Sequence, residues 1–316
     1  MIEIISTGAL NSVQDLGRTG HLSIGVARSG AMDRSALLIG NTLLGNERSA
    51  AGVEIALFPF KAKFHITVKF VVTGANSSLE LDKVPQPTNW VCEAAAGQTL
   101  VINLPEKGAR CYLCVEGGID TPGLLGSRST DLKSGLGGFE GRGLYRGDRL
   151  PVGNVESLAH SNFGLAQKTY LPESEIEIRV LPAAEYEEFE DSTLKSFFDG
   201  LWTVSQEANR MGIRLSGNFI KPKRPMEMLS HGILPGTIQV PPSGLPIIQL
   251  SDANTCGGYP KIANVIEADL CRLGQARVGA KLKFVLIDYE EAVKAQREFE
   301  NWLVTLARSV SARLSF

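Results

Sequence analysis

Short stretches in which apolar residues alternate with others constrain the fold of this chain most strongly. One runs from Lys63 to Val72, and others cover Cys111–Val115, Ile176–Val180 and Leu282–Leu286. Alternation is typical of β-strands, because successive side chains point to opposite faces. The 33 glycines and 15 prolines are scattered between these stretches and do not form a linker. Many short strands separated by turns predict a mainly β fold of sandwich or barrel type.

Few helices are predicted. Asp33 is placed to cap a helix over Arg34–Leu44, and residues 183–199 hold one or two short helices. Asp288 and Glu291 have the spacing of a capping box. Behind them, apolar residues recur at helical spacing and predict an amphipathic C-terminal helix.

The composition indicates an ordinary globular protein. A length of 316 residues predicts about two domains, and a net charge of −2 argues against nucleic acid or anionic lipid as a partner. Five cysteines, and the absence of a signal-like segment before the first strand, predict a reducing, cytoplasmic location. No apolar run is long enough to predict a membrane-spanning helix.

A seven-residue pattern, Q-[DE]-x-x-R-x-G, occurs twice. It reads QDLGRTG at residues 14–20 and QEANRMG at residues 206–212, and a Ser-Gly pair follows each copy. The repetition favours two similar domains that meet at a boundary near residues 160–175.

Several common sites are excluded or disfavoured by the sequence. No G-x4-G-K-[ST] loop is present for a nucleotide, and the four histidines lack metal-ligand spacing, so no metal is expected. Cys111 and Cys114 lie in a predicted strand, where residues three apart face opposite ways, which favours a core role over metal binding. Residues 226–228 read Met-Glu-Met, with glutamate where biotin carriers have the modified lysine. No biotin is therefore expected on this chain.

The stretch from Gly236 to Lys261 is the best candidate for a site. A strand-like segment leads to a cluster of Asp252, Asn254 and Thr255, and a Gly-Gly turn then presents Tyr259 and Lys261. Paired glycines allow sharp turns and close approach of a ligand. A hairpin turn with a proline-rich rim explains the same residues without a ligand. The following residues, 261–273, fit a strand or a helix.

Arginines and acids also stand together in glycine-rich turns, as in Asp15-Leu16-Gly17-Arg18 and around Arg128. The planar guanidinium suits a carboxylate or a phosphate. An ion pair that ties a turn together is the alternative.

Five runs of sequence, at residues 12–33, 115–142, 209–215, 236–247 and 257–270, resemble the KipA / allophanate hydrolase subunit 2 family. This resemblance covers residues 1–287 and implies two cyclophilin-like β-barrel domains. The implied domains are residues 1–168 and 169–287, followed by a helical extension over residues 288–316.

The resemblance also implies a function. Stand-alone chains of this kind are similar to a subunit of ATP-dependent 5-oxoprolinase, which opens the lactam of 5-oxoproline to glutamate. The partners implied are a KipI / allophanate hydrolase subunit 1-like protein and a LamB/YcsF-like protein, and the complex as a whole uses ATP. Three alternatives stay open: a urea- or allophanate-type carboxyltransferase subunit, a non-catalytic protein that binds a KipI-type inhibitor of a sporulation histidine kinase, and a binding module for a small carboxylate.

The candidate site residues follow from the turns together with the resemblance. The catalytic candidates are Asp252, Tyr259 and Lys261. The substrate-binding candidates are Asp15, Arg18, Arg128, Arg210, Gln239, Asn254 and Thr255. Of these, Arg18 and Arg128 are expected to bind an anionic substrate or a phosphate. The chain departs from the family pattern at Asn254, where glutamine is usual, and at His231, where glutamate is expected. Both departures bear on which substrate is used.

Overall fold

A computed structural model describes residues 1–154, 162–166, 175–226 and 228–314 of the chain. It contains two compact units. The first comprises Met1–Thr19, Ser29–Leu171 and Glu300–Phe316, and the second comprises Gly20–Arg28 and Pro172–Phe299. The predicted boundary between residues 168 and 169 and the glutamate at position 227 lie outside the described residues.

The described part of the first unit holds eleven strands and one complete α-helix. They are β1 (Ile2–Ser6), β2 (Ser12–Gln14), α1 (Arg34–Leu43), β3 (Gly52–Ile55), β4 (Phe60–Phe64), β5 (Val68–Asn76), β6 (Leu79–Leu81), β7 (Val84–Gln86), β8 (Cys92–Ala94), β9 (Thr99–Ile102), β10 (Lys107–Val115) and β11 (Arg149–Leu150). One sheet has the order β11-β1-β4-β9-β6-β7 and the other has the order β2-β3-β10-β5-β8. Every pairing within them is antiparallel.

Helix α1 covers one face of the second of these sheets. Its inward residues pack with Tyr112 and Cys114 of β10 in one apolar cluster, whereas Cys111 belongs to the cluster on the opposite face. The predicted cap is confirmed, because the Asp33 carboxylate accepts a hydrogen bond from the Ala36 N–H at 3.0 Å. The opposite orientation of Cys111 and Cys114 is confirmed as well.

The prediction of one strand over Lys63–Val72 is wrong. The chain turns at residues 65–67, so that β4 lies in the six-stranded sheet and β5 in the five-stranded one. The apolar phase passes through the turn unchanged, and the rings of Phe64 and Phe70 stack with centroids 5.4 Å apart. Because the alternation of buried and exposed residues continues across this turn, the alternation alone could not reveal that the strand ends there. His65 lies in this turn, 2.7 Å from the Glu3 carboxylate.

The described part of the second unit holds nine strands and two complete, short α-helices. They are β12 (Glu175–Pro182), α2 (Asp191–Asp199), β13 (Trp202–Val204), β14 (Gly212–Ser216), β15 (His231–Gly232), β16 (Thr237–Gln239), β17 (Ile247–Gln249), β18 (Cys256–Gly257), β19 (Lys261–Val265), α3 (Leu270–Gln275) and β20 (Lys281–Leu286). Seven of the strands close into a barrel in the order β12-β19-β16-β17-β14-β13-β20, and β15 pairs with β18. The fold is therefore mainly β, as predicted, and the ambiguous residues 261–273 contain both a strand and a helix.

The barrel core contains an aromatic cluster. Phe197 of α2 stacks on Phe284 of β20 with ring centroids 4.7 Å apart, and the Trp202 indole donates to the Phe197 carbonyl at 2.9 Å. All three side chains are almost completely buried. This packing anchors α2 against the barrel wall.

The chain ends in the long helix α4 (Tyr289–Leu314). The predicted capping box is confirmed, since the Glu291 N–H donates to Asp288 and the Asp288 N–H donates to Glu291. From Glu300 the helix belongs to the first unit, where Val310 packs in the cluster around α1. Among the described residues, no helix combines the length and apolar character needed to cross a lipid bilayer.

Candidate functional site

Asp15 organises a loop of the first unit. Its carboxylate accepts hydrogen bonds from the Gly17 N–H at 2.8 Å, from the hydroxyls of Ser127 and Ser129 at 2.7 and 2.5 Å, and from the Arg128 N–H at 2.5 Å. The side chain is buried. Four protein donors occupy both oxygens, so Asp15 serves to fix the turn at residues 127–129.

Arg18 lies beside that turn and is 2% exposed. Its Nη2 donates a hydrogen bond to the Ser129 carbonyl, whereas Nε and Nη1 are buried and have no hydrogen-bond partner among the described residues. Gly137 comes up against the guanidinium with a φ of +65°, and a Cβ there would overlap Nη2. A buried guanidinium with unused donors is the most direct sign of an anion-binding group in this unit.

Arg128 has a different environment. Its side chain is 43% exposed, and its Nη2 pairs with the Asp120 carboxylate at 2.8 Å. Both residues line a cleft of about 490 Å³, together with Asn46 and the Gly117-Gly118 turn. Arg128 therefore has an internal counterion in an open cleft.

In the second unit Arg210 and Asp252 form a buried ion pair. Arg210 Nε and Nη2 lie 2.7 and 2.9 Å from the two carboxylate oxygens of Asp252, in a side-on fork. The exposed fractions of the two residues are 8% and 2%. Such a two-point contact holds the carboxylate in a single orientation.

Lys261 lies at the start of β19 and is 6% exposed. Its backbone N–H and its side-chain ammonium both donate hydrogen bonds to Glu185 Oε2, at 2.9 and 3.4 Å respectively. The other oxygen of Glu185 lies 3.7 Å from His231 Nε2. Glu185 thus stands between two cation-forming side chains.

The sequence pattern did not identify Glu185 as a candidate site residue. It precedes a short 3-10 helix (Tyr186–Glu188), and its contact with Lys261 spans 76 residues of chain. The acidic run at residues 185–191 was visible, but nothing in its spacing pointed to a lysine in a distant strand.

Gln239 lies opposite Lys261 on the neighbouring strand β16. Its side-chain Oε1 accepts a hydrogen bond from Gln249 Nε2 at 3.0 Å. Its Nε2 donates a hydrogen bond to the Tyr259 backbone carbonyl at 3.5 Å. Tyr259 is 45% exposed. Amide groups and an ammonium thus lie on neighbouring barrel strands, and the Tyr259 phenol lies in the turn just before β19.

Asn254 and Thr255 lie in the loop between Asp252 and β18. Asn254 is exposed and Thr255 is half-buried, and the Thr255 carbonyl accepts from the Ile233 N–H at 3.1 Å. The predicted residues therefore fall into two groups. Asp15, Arg18 and Arg128 come together around one turn of the first unit, and the other seven lie in the second unit.

The buried cysteines do not contribute a nucleophile. Burial raises the pKa of Cys111 and that of Cys114 to about 12, and raises the pKa of Cys92 to about 11. Each therefore remains a thiol at neutral pH.

Comparison with known proteins identifies the family. Residues 24–286 match the model of the carboxyltransferase domain, subdomain A and B. The chain is 42% identical over 307 residues to the 5-oxoprolinase C-subunit of Escherichia coli (strain K12), covering 97% of this chain and 98% of that protein. It is 41% identical over 313 residues to the 5-oxoprolinase C-subunit of Haemophilus influenzae, covering 99% and 100%.

A solved structure agrees with this assignment. The urea carboxylase of Kluyveromyces lactis superposes with a TM-score of 0.90 at 30% identity, over 96% of this chain and 29% of that chain. This chain therefore spans less than a third of the solved enzyme. The resemblance noted in the sequence is confirmed, and the chain belongs to the carboxyltransferase-domain family that includes the 5-oxoprolinase C-subunits.

Proposed function

We propose that this chain is a subunit of a cytoplasmic, ATP-dependent 5-oxoprolinase, which opens the lactam of 5-oxoproline with water to give glutamate. The observation that carries the proposal is the identity of 41–42% to 5-oxoprolinase C-subunits along nearly their whole length. The partners proposed are a KipI-type protein and a LamB/YcsF-type protein. ATP is a reactant of the complex, and no biotin is attached to this chain.

The chemistry of a lactam fits the polar groups of the barrel. An amide carbonyl is a weak electrophile, so catalysis needs groups that stabilise negative charge on its oxygen and move protons to the departing nitrogen. In the proposal, Lys261 and Tyr259 exchange protons with the substrate or stabilise its oxygen. Asp252, held by Arg210, orients the attacking water or the ring nitrogen. Gln239, Asn254 and Thr255 offer hydrogen bonds that position the ring.

The test is reconstitution. The chain is combined with its KipI-type and LamB/YcsF-type partners from the same genome, and glutamate is measured with and without ATP. Glutamate release that requires all three proteins and ATP supports the proposal. A stable complex that consumes ATP without forming glutamate would overturn it.

The solved urea carboxylase favours a second candidate, transfer of a carboxyl group to a urea-like nitrogen. That activity needs a separate carboxybiotin carrier. The same preparation, supplied with a carboxylated carrier and urea, tests this alternative, and carboxylated urea would be its product.

A further inference from the structure

Arg18 and Arg210 occupy the same place in the two copies of the Q-[DE]-x-x-R-x-G pattern. Both are buried, with exposed fractions of 2% and 8%. A guanidinium stays protonated in proteins, so burying it is costly unless an anion or several acceptors offset the charge. The two copies therefore differ in the groups that offset the buried charge of the arginine.

Arg210 has an internal anion. Asp252 meets its Nε and Nη2 side-on, at 2.7 and 2.9 Å. The copy in the second unit is thus satisfied by a carboxylate from its own barrel.

Arg18 differs in this respect. Its Nη2 donates a hydrogen bond to the neutral Ser129 carbonyl, and in the part of the chain that the structure describes Nε and Nη1 have no hydrogen-bond partner. No carboxylate of the described residues forms an ion pair with it. Asp15, the acid in the same copy of the pattern, has its oxygens occupied by Gly17 and by residues 127–129.

Two backbone segments contact the Arg18 guanidinium. Gly137 lies against Nη2 with no side chain between, and the Ser129 carbonyl lies on the same side. Arg128, the other arginine predicted to bind an anion, is paired with Asp120 at 2.8 Å. Of these two candidates, the structure favours Arg18.

We infer that Arg18 binds the carboxylate group of a small-molecule ligand, in the role that the Asp252 side chain has for Arg210. The inference concerns a binding group within the first unit and rests on the proposed function only for the choice of ligand, because 5-oxoproline carries one carboxylate. Binding itself requires no turnover, so it is measured independently.

The experiment is calorimetric titration of the full chain, alone and in the reconstituted complex. The probes are 5-oxoproline, acetate, inorganic phosphate and 2-pyrrolidinone, which has the same lactam ring without the carboxylate. The variants are Arg18→Met and Arg18→Lys. Arg48→Met is the matched control, since Arg48 forms an exposed ion pair with Glu300 in the same unit.

We expect 5-oxoproline and acetate to bind the wild-type chain and Arg48→Met equally. 2-Pyrrolidinone should bind at least about tenfold more weakly than 5-oxoproline, and Arg18→Met should weaken 5-oxoproline binding by about 10- to 100-fold. Arg18→Lys should be intermediate, because it keeps the charge without the fork. In the NMR spectrum of the wild-type chain, the Arg18 Nε–H resonance should shift on titration, a result that needs no variant.

Three results would overturn the inference: no carboxylate binding in either preparation, equal binding by wild type and folded Arg18 variants, or binding of phosphate but not of acetate. Thermal unfolding identifies which variants are folded. If neither Arg18→Met nor Arg18→Lys folds, the shift of the Arg18 Nε–H resonance in the wild-type chain decides whether Arg18 binds the carboxylate. Arg18-dependent binding without glutamate release would leave the inference standing and remove the proposed function. Glutamate release by the complex, together with equal binding by wild type and folded Arg18 variants, would do the reverse.

Discussion

Arg210 and Asp252 meet side-on within the second unit, with Nε 2.7 Å and Nη2 2.9 Å from opposite oxygens of the carboxylate. The backbone joins them as well, since the Asp252 N–H donates to the Arg210 carbonyl at 3.0 Å. The two residues are 42 positions apart, so this pair ties the loop before β14 to the loop after β17. Asp252 is therefore a catalytic candidate that also stabilises the fold by linking two loops.

Removing one member of this pair should be more damaging than removing both. Asp252→Ala leaves the Arg210 charge buried without its anion, which should lower the free energy of unfolding by about 3–5 kcal/mol. The double variant Asp252→Leu, Arg210→Met replaces the pair by apolar groups and should cost much less. Denaturant unfolding measures both values. A single variant as stable as the double one would contradict this view of the pair.

Glu185 should control the activity of the complex through Lys261. Glu185→Gln keeps a carbonyl for the Lys261 N–H but removes the charge that holds the ammonium. We expect kcat to fall by about 10- to 100-fold with little change in KM, because the reacting group is misplaced. Glu187→Gln is the control, since Glu187 is exposed on the adjacent 3-10 helix.

Chemical rescue separates positioning from a general loss of structure. In Glu185→Ala, added formate should restore part of the turnover, because a small carboxylate can occupy the place of the lost side chain. Chloride at the same ionic strength should not. If Glu185→Gln turns over at the wild-type rate while Lys261→Met is inactive, Glu185 has no such role.

The sequence predicts local features well because their causes are local. Asp33 and Asp288 were recognised as caps from their immediate neighbours, and the alternation in β12 and β20 reflects the two faces of a barrel strand. The corner at residues 65–67 was missed because burial continues across it. Glu185 was missed because its contact with Lys261 forms only when distant strands close the barrel. Asp252 and Arg210 were each selected from the sequence, but their pairing depends on the same closure.

Thiol reactivity should single out Cys256. It is exposed in β18, whereas burial raises the pKa of Cys111 and Cys114 to about 12 and that of Cys92 to about 11. The thiolate is the reactive form, so at pH 8 an aromatic disulfide reagent should modify Cys256 first and the three buried thiols only on unfolding. Cys256→Ser should remove the fast phase. A fast phase that persists in this variant would show that another cysteine is accessible.

The start of α4 offers a test of local stability that is separate from the candidate site. Asp288 accepts from the Glu291 N–H at 2.8 Å, and Glu291 reaches back to the Asp288 N–H at 3.2 Å. Asp288→Ala leaves one of the first-turn N–H groups without its acceptor and should lower the free energy of unfolding by about 1 kcal/mol. Glu290→Ala, in the same turn, removes an acid that takes no part in the capping box and should cost only a few tenths of a kcal/mol, through the helix dipole. Amide hydrogen exchange at residues 289–293 should rise in Asp288→Ala and not in Glu290→Ala, and equal exchange in the two variants would mean that the box does not hold this helix end.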